Sequence, residues 1–154
     1  TYDAFDYRES DTVLAGESLV AFDVDDLIVG VATCYDIRFP EQFKELASQG
    51  AQLIVVPTSW ADGPGKLEQW RLLTAARALD STSYILAAGQ SRPGGDAEAG
   101  NPSGPTGIGH STIVDPNGVR MAEAGYEDDI LYADIDPNEV AKTRRALPVV
   151  ATVD

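Results

Sequence analysis

The stretch LIVGVATCYDIRFPEQFKELASQG (27–50) decides the fold of this chain. Its first part, LIVGVAT (27–33), is a continuous apolar run of strand length, which is typical of a strand buried on both faces. The run ends at Cys34. A helix is then indicated between Pro40, which suits a first helical residue, and Gly50, which suits the end of a helix. The apolar face of that helix is formed by Phe43, Leu46 and Ala47.

The same alternation of strand and helix continues downstream. QLIVVP (52–57) is a second strand of the buried type, and KLEQWRLLTAARALDS (66–81) is rich in good helix formers. YILAA (84–88) is a third strand. Because strands that alternate with helices are typical of α/β proteins, the sequence predicts an α/β fold with crossover helices.

Further elements are predicted on both sides of this central unit. They are a strand at 19–22, a hairpin formed by 110–115 and 119–124, a strand at 130–136, and a helix from Asn138 to Arg145. The hairpin is indicated by the Asn117-Gly118 pair in its turn. An apolar tail, LPVVATV (147–153), follows the last helix and needs a cover, for which a partner subunit is one option.

Composition excludes several classes of function. The 154 residues include 25 acidic and 11 basic side chains, for a net charge of −14, and 44% of them are hydrophobic. An acidic globular chain without a basic patch argues against nucleic-acid or anionic-membrane partners, and no apolar run approaches the roughly 20 residues of a membrane span. One cysteine and one histidine exclude a disulfide framework and the common zinc motifs. We expect a cytoplasmic protein that needs no metal and no cofactor.

A long loop separates the third strand from the hairpin. PGGDAEAGNPSGPTG (93–107) has five glycines and three prolines among its 15 residues. Its length exceeds that of an ordinary connection, so it is either a variable surface insertion or a flexible rim over a pocket. It lacks the Lys and Ser/Thr of a phosphate-binding loop, which argues against nucleotide binding.

Cys34 is the residue with the strongest claim to chemistry. A lone cysteine is usually an inert core residue. Cys34, however, ends a buried strand and precedes a helix, and ligands of α/β folds bind beyond the carboxyl ends of strands. The nearby helix N-terminus favours a thiolate and a developing oxyanion. Position alone leaves the core and the nucleophile interpretations equally open.

His110 is the obvious base for such a cysteine, but the pattern argues against it. His110 lies beside Ser111 in a predicted strand, where adjacent side chains point to opposite faces. A structural or pocket-wall role is therefore favoured for His110, and the same alternation argues against a His110–Ser111 dyad.

GVATCYDIRFPE (30–41) resembles the nucleophile motif of the carbon–nitrogen hydrolases, the nitrilase superfamily, which has the form G-x-x-x-C-Y-D-x-R-F-P-E. Four later segments resemble further parts of the family in the same order. They are GAQLIVVPTSW (50–60), RALDSTSYILAAGQ (77–90), GHSTIVDPNG (109–118) and DIDPNEVAKTRRALPV (134–149). The resemblance covers essentially the whole chain.

The resemblance implies an αββα sandwich of the nitrilase type with a Glu–Lys–Cys site. Cys34 would attack an amide or nitrile carbon, and the backbone N–H of Tyr35 would help the Lys to stabilise the oxyanion. Ammonia would leave, and water would hydrolyse the thioester. A second Glu of the family falls on Glu9. The substrate-binding candidates are Asp36, Arg38, Thr58, Ser59 and Trp60.

Two arginines have structural as well as functional interpretations. Arg38 either pairs with a carboxylate of the substrate or holds Asp36 or Glu41 as part of the scaffold. Arg77 and Asp80 occupy the place of an R-A-x-E/D pair in the family, and they are expected to form a structural pair on one helix face.

The family's base Glu and its Lys have no counterpart in this sequence, because the first lysine, Lys44, follows Cys34. We therefore expect residues 1–154 to be the C-terminal part of one nitrilase-type domain. The leading hypothesis is an amidase that forms a homodimer or a higher homo-oligomer, with amide favoured over nitrile as the substrate because C-Y-D-x-R-F resembles the amidase-like branches. The alternatives are an inactive fragment or assembly subunit without catalysis, and a thiol redox sensor.

Overall fold

The structure of the chain, a computed structural model, describes residues 1–4, 7–97 and 104–150. The short elements before the main sheet are β1 (Asp3–Ala4), β2 (Tyr7–Arg8) and a 3₁₀ turn (Glu9–Asp11). The next elements are β3 (Val20–Val24), β4 (Leu27–Val31), a 3₁₀ turn (Cys34–Arg38), α1 (Pro40–Ser48), β5 (Leu53–Thr58) and α2 (Lys66–Ser81). The last are β6 (Tyr84–Gly89), β7 (Thr112–Val114), β8 (Arg120–Glu123) and α3 (Pro137–Ala146).

Six of these strands form one mixed sheet in the order β3-β4-β5-β6-β7-β8. Strands β4, β5 and β6 are parallel, with Gly30 opposite Ile54 and Ile54 opposite Ile85. Helices α1 and α2 make the connections between them, so the predicted α/β unit is confirmed. Hairpins add β3 at one edge and β7 with β8 at the other, all antiparallel.

One face of the sheet is covered by α1 and α2. The buried side chains of this interface are Phe43, Leu46, Ile54, Val56, Trp70, Ala78, Ile85 and Ala87. Gly30 allows α1 to approach β4 closely, because a Cβ atom there would lie 3.2 Å from both methyl groups of Leu46. This packing fixes the carboxyl end of β4, where Cys34 follows.

The opposite face of the sheet is covered less completely. Val140 of α3 packs on this face against Val29, Leu53 and Tyr84. On the side of the sheet nearer to β7 and β8, an open groove of about 360 Å³ lies between Leu86, Ile113 and the segment 131–135. The strands therefore have a thoroughly buried face and a half-buried one.

The predicted strand at 130–136 is wrong. These residues form no regular element, and they cross the second face of the sheet above Leu86 instead of extending an edge. Their alternating pattern reflects half-burial of Leu131 and Ile135, whereas Tyr132 is 84% exposed. Alternation predicts which side chains are covered, but a strand also needs a hydrogen-bonding partner.

Two other predicted segments differ from the structure or extend beyond the described residues. The strand predicted to begin at His110 begins at Thr112. In the apolar tail, Leu147 and Val149 are each 38% exposed, and residues 151–153 lie outside the described residues.

Among the helices of 1–4, 7–97 and 104–150, none has the length and apolar character that a membrane crossing requires.

Candidate active site

Cys34 occupies a strained position where β4 ends. Its φ of 49° lies in the left-handed region, which is uncommon for a residue with a side chain. The residue is half-buried and its thiol is free. The Sγ atom lies 3.5 Å from the backbone carbonyl oxygen of Ser59, in the loop after β5. The carboxyl ends of two neighbouring parallel strands therefore meet at this thiol, as the α/β pattern predicts.

Asp36 fixes the start of the turn that carries Cys34. Its Oδ2 accepts a hydrogen bond of 2.8 Å from the backbone N–H of Thr33 and one of 3.2 Å from the side chain of Gln42. The backbone N–H of Asp36 donates in return to the carbonyl of Thr33 at 2.9 Å. Asp36, a substrate-binding candidate from the sequence, is thus engaged in holding the turn.

Arg77 of α2 holds the end of the same turn. The predicted pair with Asp80 is confirmed, with Nη1 2.6 Å from the carboxylate. Its Nε also donates a 2.7 Å hydrogen bond to the carbonyl of Ile37. Sequence reasoning missed this second bond, although Pro40 gave a signal: it has no N–H to serve the carbonyl three residues before it. The side chain of Arg77 is 9% exposed and that of Asp80 is 38% exposed, so the arginine is shielded from water while the carboxylate keeps access to it.

The surroundings of Cys34 favour the protonated form of its thiol. Burial is the main reason that its pKa is raised, and the negative charges of Glu9 and Asp36 raise it further. Backbone hydrogen bonds with Ser59 and Tyr35 act in the opposite direction without cancelling the effect. The structure thus brings Glu9 and Tyr35, two catalytic candidates, into the environment of the thiol.

The first residues of the chain pack on the Cys34 turn through aromatic rings. Tyr2 stacks on Phe39 with ring centroids 4.8 Å apart and lies 4.9 Å from the ring of Tyr35. The backbone N–H of Tyr2 donates to Glu9 at 2.8 Å. Burial and a hydrogen bond with Asp36 raise the pKa of Tyr2 to about 12. These contacts hold Glu9 beside the turn.

Arg38 lies between two aromatic rings. Its Cζ is 5.3 Å from the ring centroid of Tyr35 and 4.9 Å from that of Trp60, which are cation–π distances. One guanidinium nitrogen donates to Gln69 at 3.2 Å. Its Nε is buried and has no hydrogen-bond partner among the described residues. The side chain is therefore held in place with one polar atom left unused.

The remaining binding candidates make internal hydrogen bonds. The hydroxyl of Thr58 donates to Val56 at 3.2 Å, and the indole of Trp60 donates to Lys66 at 3.0 Å. The hydroxyl of Ser59 donates to the carbonyl of Pro105. This contact places the downstream end of the loop 93–107 next to the site. Residues 98–103 of that loop lie outside the described residues.

His110 belongs to a different group of charged residues, which we call the Glu123 cluster: Glu123, His110, Arg71 and Arg120. His110 is 7% exposed, and its Nδ1 lies 2.7 Å from the Glu123 carboxylate. Arg71 and Arg120 approach the same carboxylate at 2.8 and 3.1 Å. The φ of His110 is 52°, which no strand residue adopts, so the strand alternation assumed for His110 and Ser111 does not apply.

The Glu123 carboxylate has the opposite electrostatic setting to the thiol. Burial by itself would raise the pKa of Glu123, but hydrogen bonds from Arg71 and His110 and the charges of both arginines lower it below the ordinary value. Within residues 1–4, 7–97 and 104–150, no three or more His, Cys, Asp or Glu side chains are grouped so that they could hold a metal ion.

Comparison with known proteins assigns the family. The family model described as carbon-nitrogen hydrolase matches residues 1–145. The chain belongs to the carbon–nitrogen hydrolase family. A hydrolase of Mycobacterium tuberculosis is 51% identical to this carbon–nitrogen hydrolase chain over 152 residues, which cover 97% of the chain and 54% of the relative. The deaminated glutathione amidase of Escherichia coli O157:H7 is 42% identical over 150 residues, which cover 97% and 53%.

Solved structures agree with this carbon–nitrogen hydrolase assignment. Saccharomyces cerevisiae Nit3, a member of the nitrilase superfamily, has a TM-score of 0.77 at 34% identity, covering 93% of the chain and 50% of Nit3. A variant of the amidase from Nesterenkonia sp. AN1 has a TM-score of 0.69 at 27% identity, covering 90% and 49%. That amidase carries the acetamide moiety of fluoroacetamide, added covalently at its active-site cysteine. The predicted nitrilase-type α/β fold is confirmed, and the chain spans about half the length of the curated relatives it matches.

Proposed function

We propose that this chain is part of an amidase that hydrolyses the carbon–nitrogen bond of a small amide through a thioester on Cys34. The observation that carries the proposal is the left-handed backbone of Cys34 at the carboxyl end of β4, with Ser59 and the backbone of Tyr35 at the thiol. Strained positions of this kind cluster at active sites. The Nesterenkonia amidase, with its covalent adduct at the active-site cysteine, supports the same role for Cys34.

The reaction proceeds in two halves. The sulfur of Cys34 attacks the amide carbon while a carboxylate base takes the thiol proton, and the backbone N–H of Tyr35 donates to the oxyanion that forms. The carbon–nitrogen bond then breaks, and the nitrogen leaves as ammonia with the transferred proton. Water, activated by the same base, attacks the thioester carbon, which releases the carboxylic acid and restores the thiol.

The electrostatics of the site indicate that this mechanism needs a general base and a cation that the described residues around Cys34 do not supply. A buried thiol with a raised pKa is a weak nucleophile, so it requires a general base. We propose that the base Glu and a Lys come from a part of the protein that precedes these residues. Glu9 would help to hold the Lys. The ammonium would then balance the negative charges of Glu9 and Asp36, which otherwise oppose both the thiolate and the oxyanion.

We propose that the substrate lies against Arg38, Ser59 and Trp60. The buried Nε of Arg38 has no hydrogen-bond partner among the residues that the structure describes, and the guanidinium lies between two rings. Both features support a role in orienting a polar or acidic group of the substrate. Asp36 and Thr58 serve the pocket indirectly, since their side chains already bond the Cys34 turn and the end of β5.

A homodimer and a cytoplasmic location remain expectations. Leu72 and Leu79 lie on the same face of α2, two turns apart, and they are 68% and 41% exposed. This exposed apolar pair supports a contact between subunits on this helix.

The raised pKa of Cys34 counts against the redox-sensor alternative, because the thiolate is the form that peroxide oxidises.

The decisive experiment measures ammonia release from simple amides by the full-length protein. Replacing Cys34 with Ala should lower kcat by at least about 10³-fold, because the covalent route is lost. Ser48→Ala, a change of similar size on the far part of α1, is the matched control and should keep kcat within about twofold. Equal rates for the wild type and Cys34→Ala would refute the proposal, and an inactive wild type would favour an assembly subunit without catalysis.

A further inference from the structure

The Cys34 turn contains a carbonyl that the local backbone cannot serve. In a 3₁₀ arrangement the carbonyl of Ile37 would accept from the residue three positions later, which is Pro40 and has no N–H. The side chain of Ile37 is 0% exposed, so the turn has little access to water here. A buried carbonyl without a donor is destabilising, because it has lost its hydrogen bond to water and gained none in exchange. The Nε of Arg77 supplies the missing donor at 2.7 Å.

We propose that Arg77 is a positioning residue for the nucleophile: by binding the Ile37 carbonyl from α2, it holds the Cys34–Arg38 turn in the strained form that aims the thiol. The proposal rests on the function proposed above for Cys34. Left-handed backbone at Cys34 persists only where its surroundings leave the chain no relaxed alternative. Asp36 fixes the turn at its start, and Arg77 fixes it at its end.

The geometry explains why this position holds an arginine. The guanidinium donates in two directions at once, to Ile37 through Nε and to Asp80 through Nη1, at 2.7 and 2.6 Å. A lysine ammonium is a single point charge on a flexible stem and cannot reproduce this fork. Because α2 is a helix of 16 residues packed on the sheet, the bond ties the turn to a rigid element.

The competing interpretation is that Arg77 and Asp80 form only a structural pair on one helix face. Such i,i+3 pairs contribute little to stability. In that case the loss of Asp80 should have the same effect as a change at Arg77, and any effect on activity should follow global stability. The two interpretations therefore differ in whether a change at Arg77 alters the reactivity of the Cys34 thiol apart from any change in stability.

The test compares Arg77→Lys and Asp80→Asn in the full-length protein. For each we measure kcat and KM with a small amide, thermal unfolding, and the pH dependence of iodoacetamide alkylation of Cys34, followed by mass spectrometry of its peptide. Arg77→Lys should lower kcat about tenfold or more with KM within about twofold, since a misplaced nucleophile affects the chemical step. The pH midpoint of Cys34 alkylation should move as well. Asp80→Asn should keep kcat within about threefold, because the Ile37 bond remains.

Arg144→Lys is the matched control for loss of a buried arginine-to-carbonyl bond. Arg144 donates to the carbonyl of Ala51 at 2.6 Å and to Ser83, two residues that precede β5 and β6 and so lie at the opposite end of these strands from the Cys34 turn. Its substitution should lower the unfolding temperature and leave kcat and the alkylation profile of Cys34 unchanged.

Several results would overturn the proposal. They are an unchanged kcat in folded Arg77→Lys, an equal loss in Asp80→Asn, and an equal loss in Arg144→Lys. If Arg77→Lys does not fold, Arg77→Gln is measured instead, and failure of both to fold while Arg144→Lys folds would assign Arg77 a purely structural role. If the wild type has no amidase activity, the proposed function fails, whereas the alkylation profiles still decide whether Arg77 positions the thiol.

Discussion

The Cys34 turn and the Glu123 cluster shift the pKa of their central ionisable group in opposite senses relative to its charged form. The Glu123 carboxylate has Arg71, Arg120 and His110 around it, so its charged form is favoured and its pKa is lowered. The thiol of Cys34 is half-buried beside two acids, so its charged form is disfavoured and its pKa is raised. The Glu123 carboxylate has cations of this chain beside it, whereas the Cys34 thiol has the negative charges of Glu9 and Asp36 beside it.

This difference separates stability from chemistry. The Glu123 carboxylate, paired with Arg71 of α2 and with Arg120, stabilises the packing of α2 on β8. A buried thiol next to acids gains nothing for stability from that setting, and unfavourable settings of this kind concentrate at functional sites. We therefore expect substitutions in the Glu123 cluster to change stability, and substitutions around Cys34 to change reactivity.

The largest expected effect on stability comes from Glu123→Ala. Removing the carboxylate leaves Nδ1 of buried His110 and Nε of half-buried Arg120 without their partner, so the free energy of unfolding should fall by about 2–3 kcal/mol. Urea unfolding of the full-length protein measures it. Glu139→Ala, which removes the exposed pair with Lys142, is the matched control and should cost less than about 0.5 kcal/mol. A loss of kcat without a loss of stability would break the proposed division of roles.

A smaller effect is expected from Glu123→Gln, and it should depend on pH. Because the pKa of Glu123 is lower in the folded than in the unfolded state, its ionisation stabilises the protein above its unfolded-state pKa. That contribution is lost as the pH falls through the folded-state pKa. The difference in unfolding free energy between the wild type and Glu123→Gln should therefore be present at neutral pH and shrink in acid. A difference independent of pH would show that the charge of Glu123 is not what stabilises the cluster.

Much of the fold could be predicted from the sequence because the signals are local. The apolar runs at 27–33, 52–57 and 84–88 and the helix at 66–81 appear where the patterns place them. The strand at 130–136 could not be predicted correctly, since side-chain alternation says nothing about the presence of a hydrogen-bonding partner. The left-handed backbone of Cys34 also has no signature in composition or periodicity.

The sequence predicts the thiol of the candidate site and its neighbours, but it does not predict the hydrogen bonds that hold the Cys34 turn in place. A cysteine at the end of a buried strand marks the position of the thiol, and the family motif adds Tyr35 and Glu9. The bond from Arg77 to Ile37 joins residues 40 positions apart, so local patterns cannot reveal it, although Pro40 leaves a carbonyl that requires some donor. The strand predicted at His110 is wrong because the residue has a φ of 52° and β7 begins at Thr112, and side-chain periodicity does not reveal such a backbone conformation.

The smallest expected effect concerns the reactivity of Cys34 and not stability. Glu9→Gln removes a negative charge that raises the pKa of the thiol, so the pH midpoint for alkylation of Cys34 by iodoacetamide should fall and the rate at neutral pH should rise. Glu45→Gln removes an exposed acid from the far part of α1 and should leave the midpoint unchanged. A midpoint that stays or rises in Glu9→Gln would mean that Glu9 acts on the thiol mainly through a cation that it holds. Cys34 would then have a cation nearby, as Glu123 does, and the two sites would differ in that the cation is held by Glu9 instead of contacting the ionisable group directly.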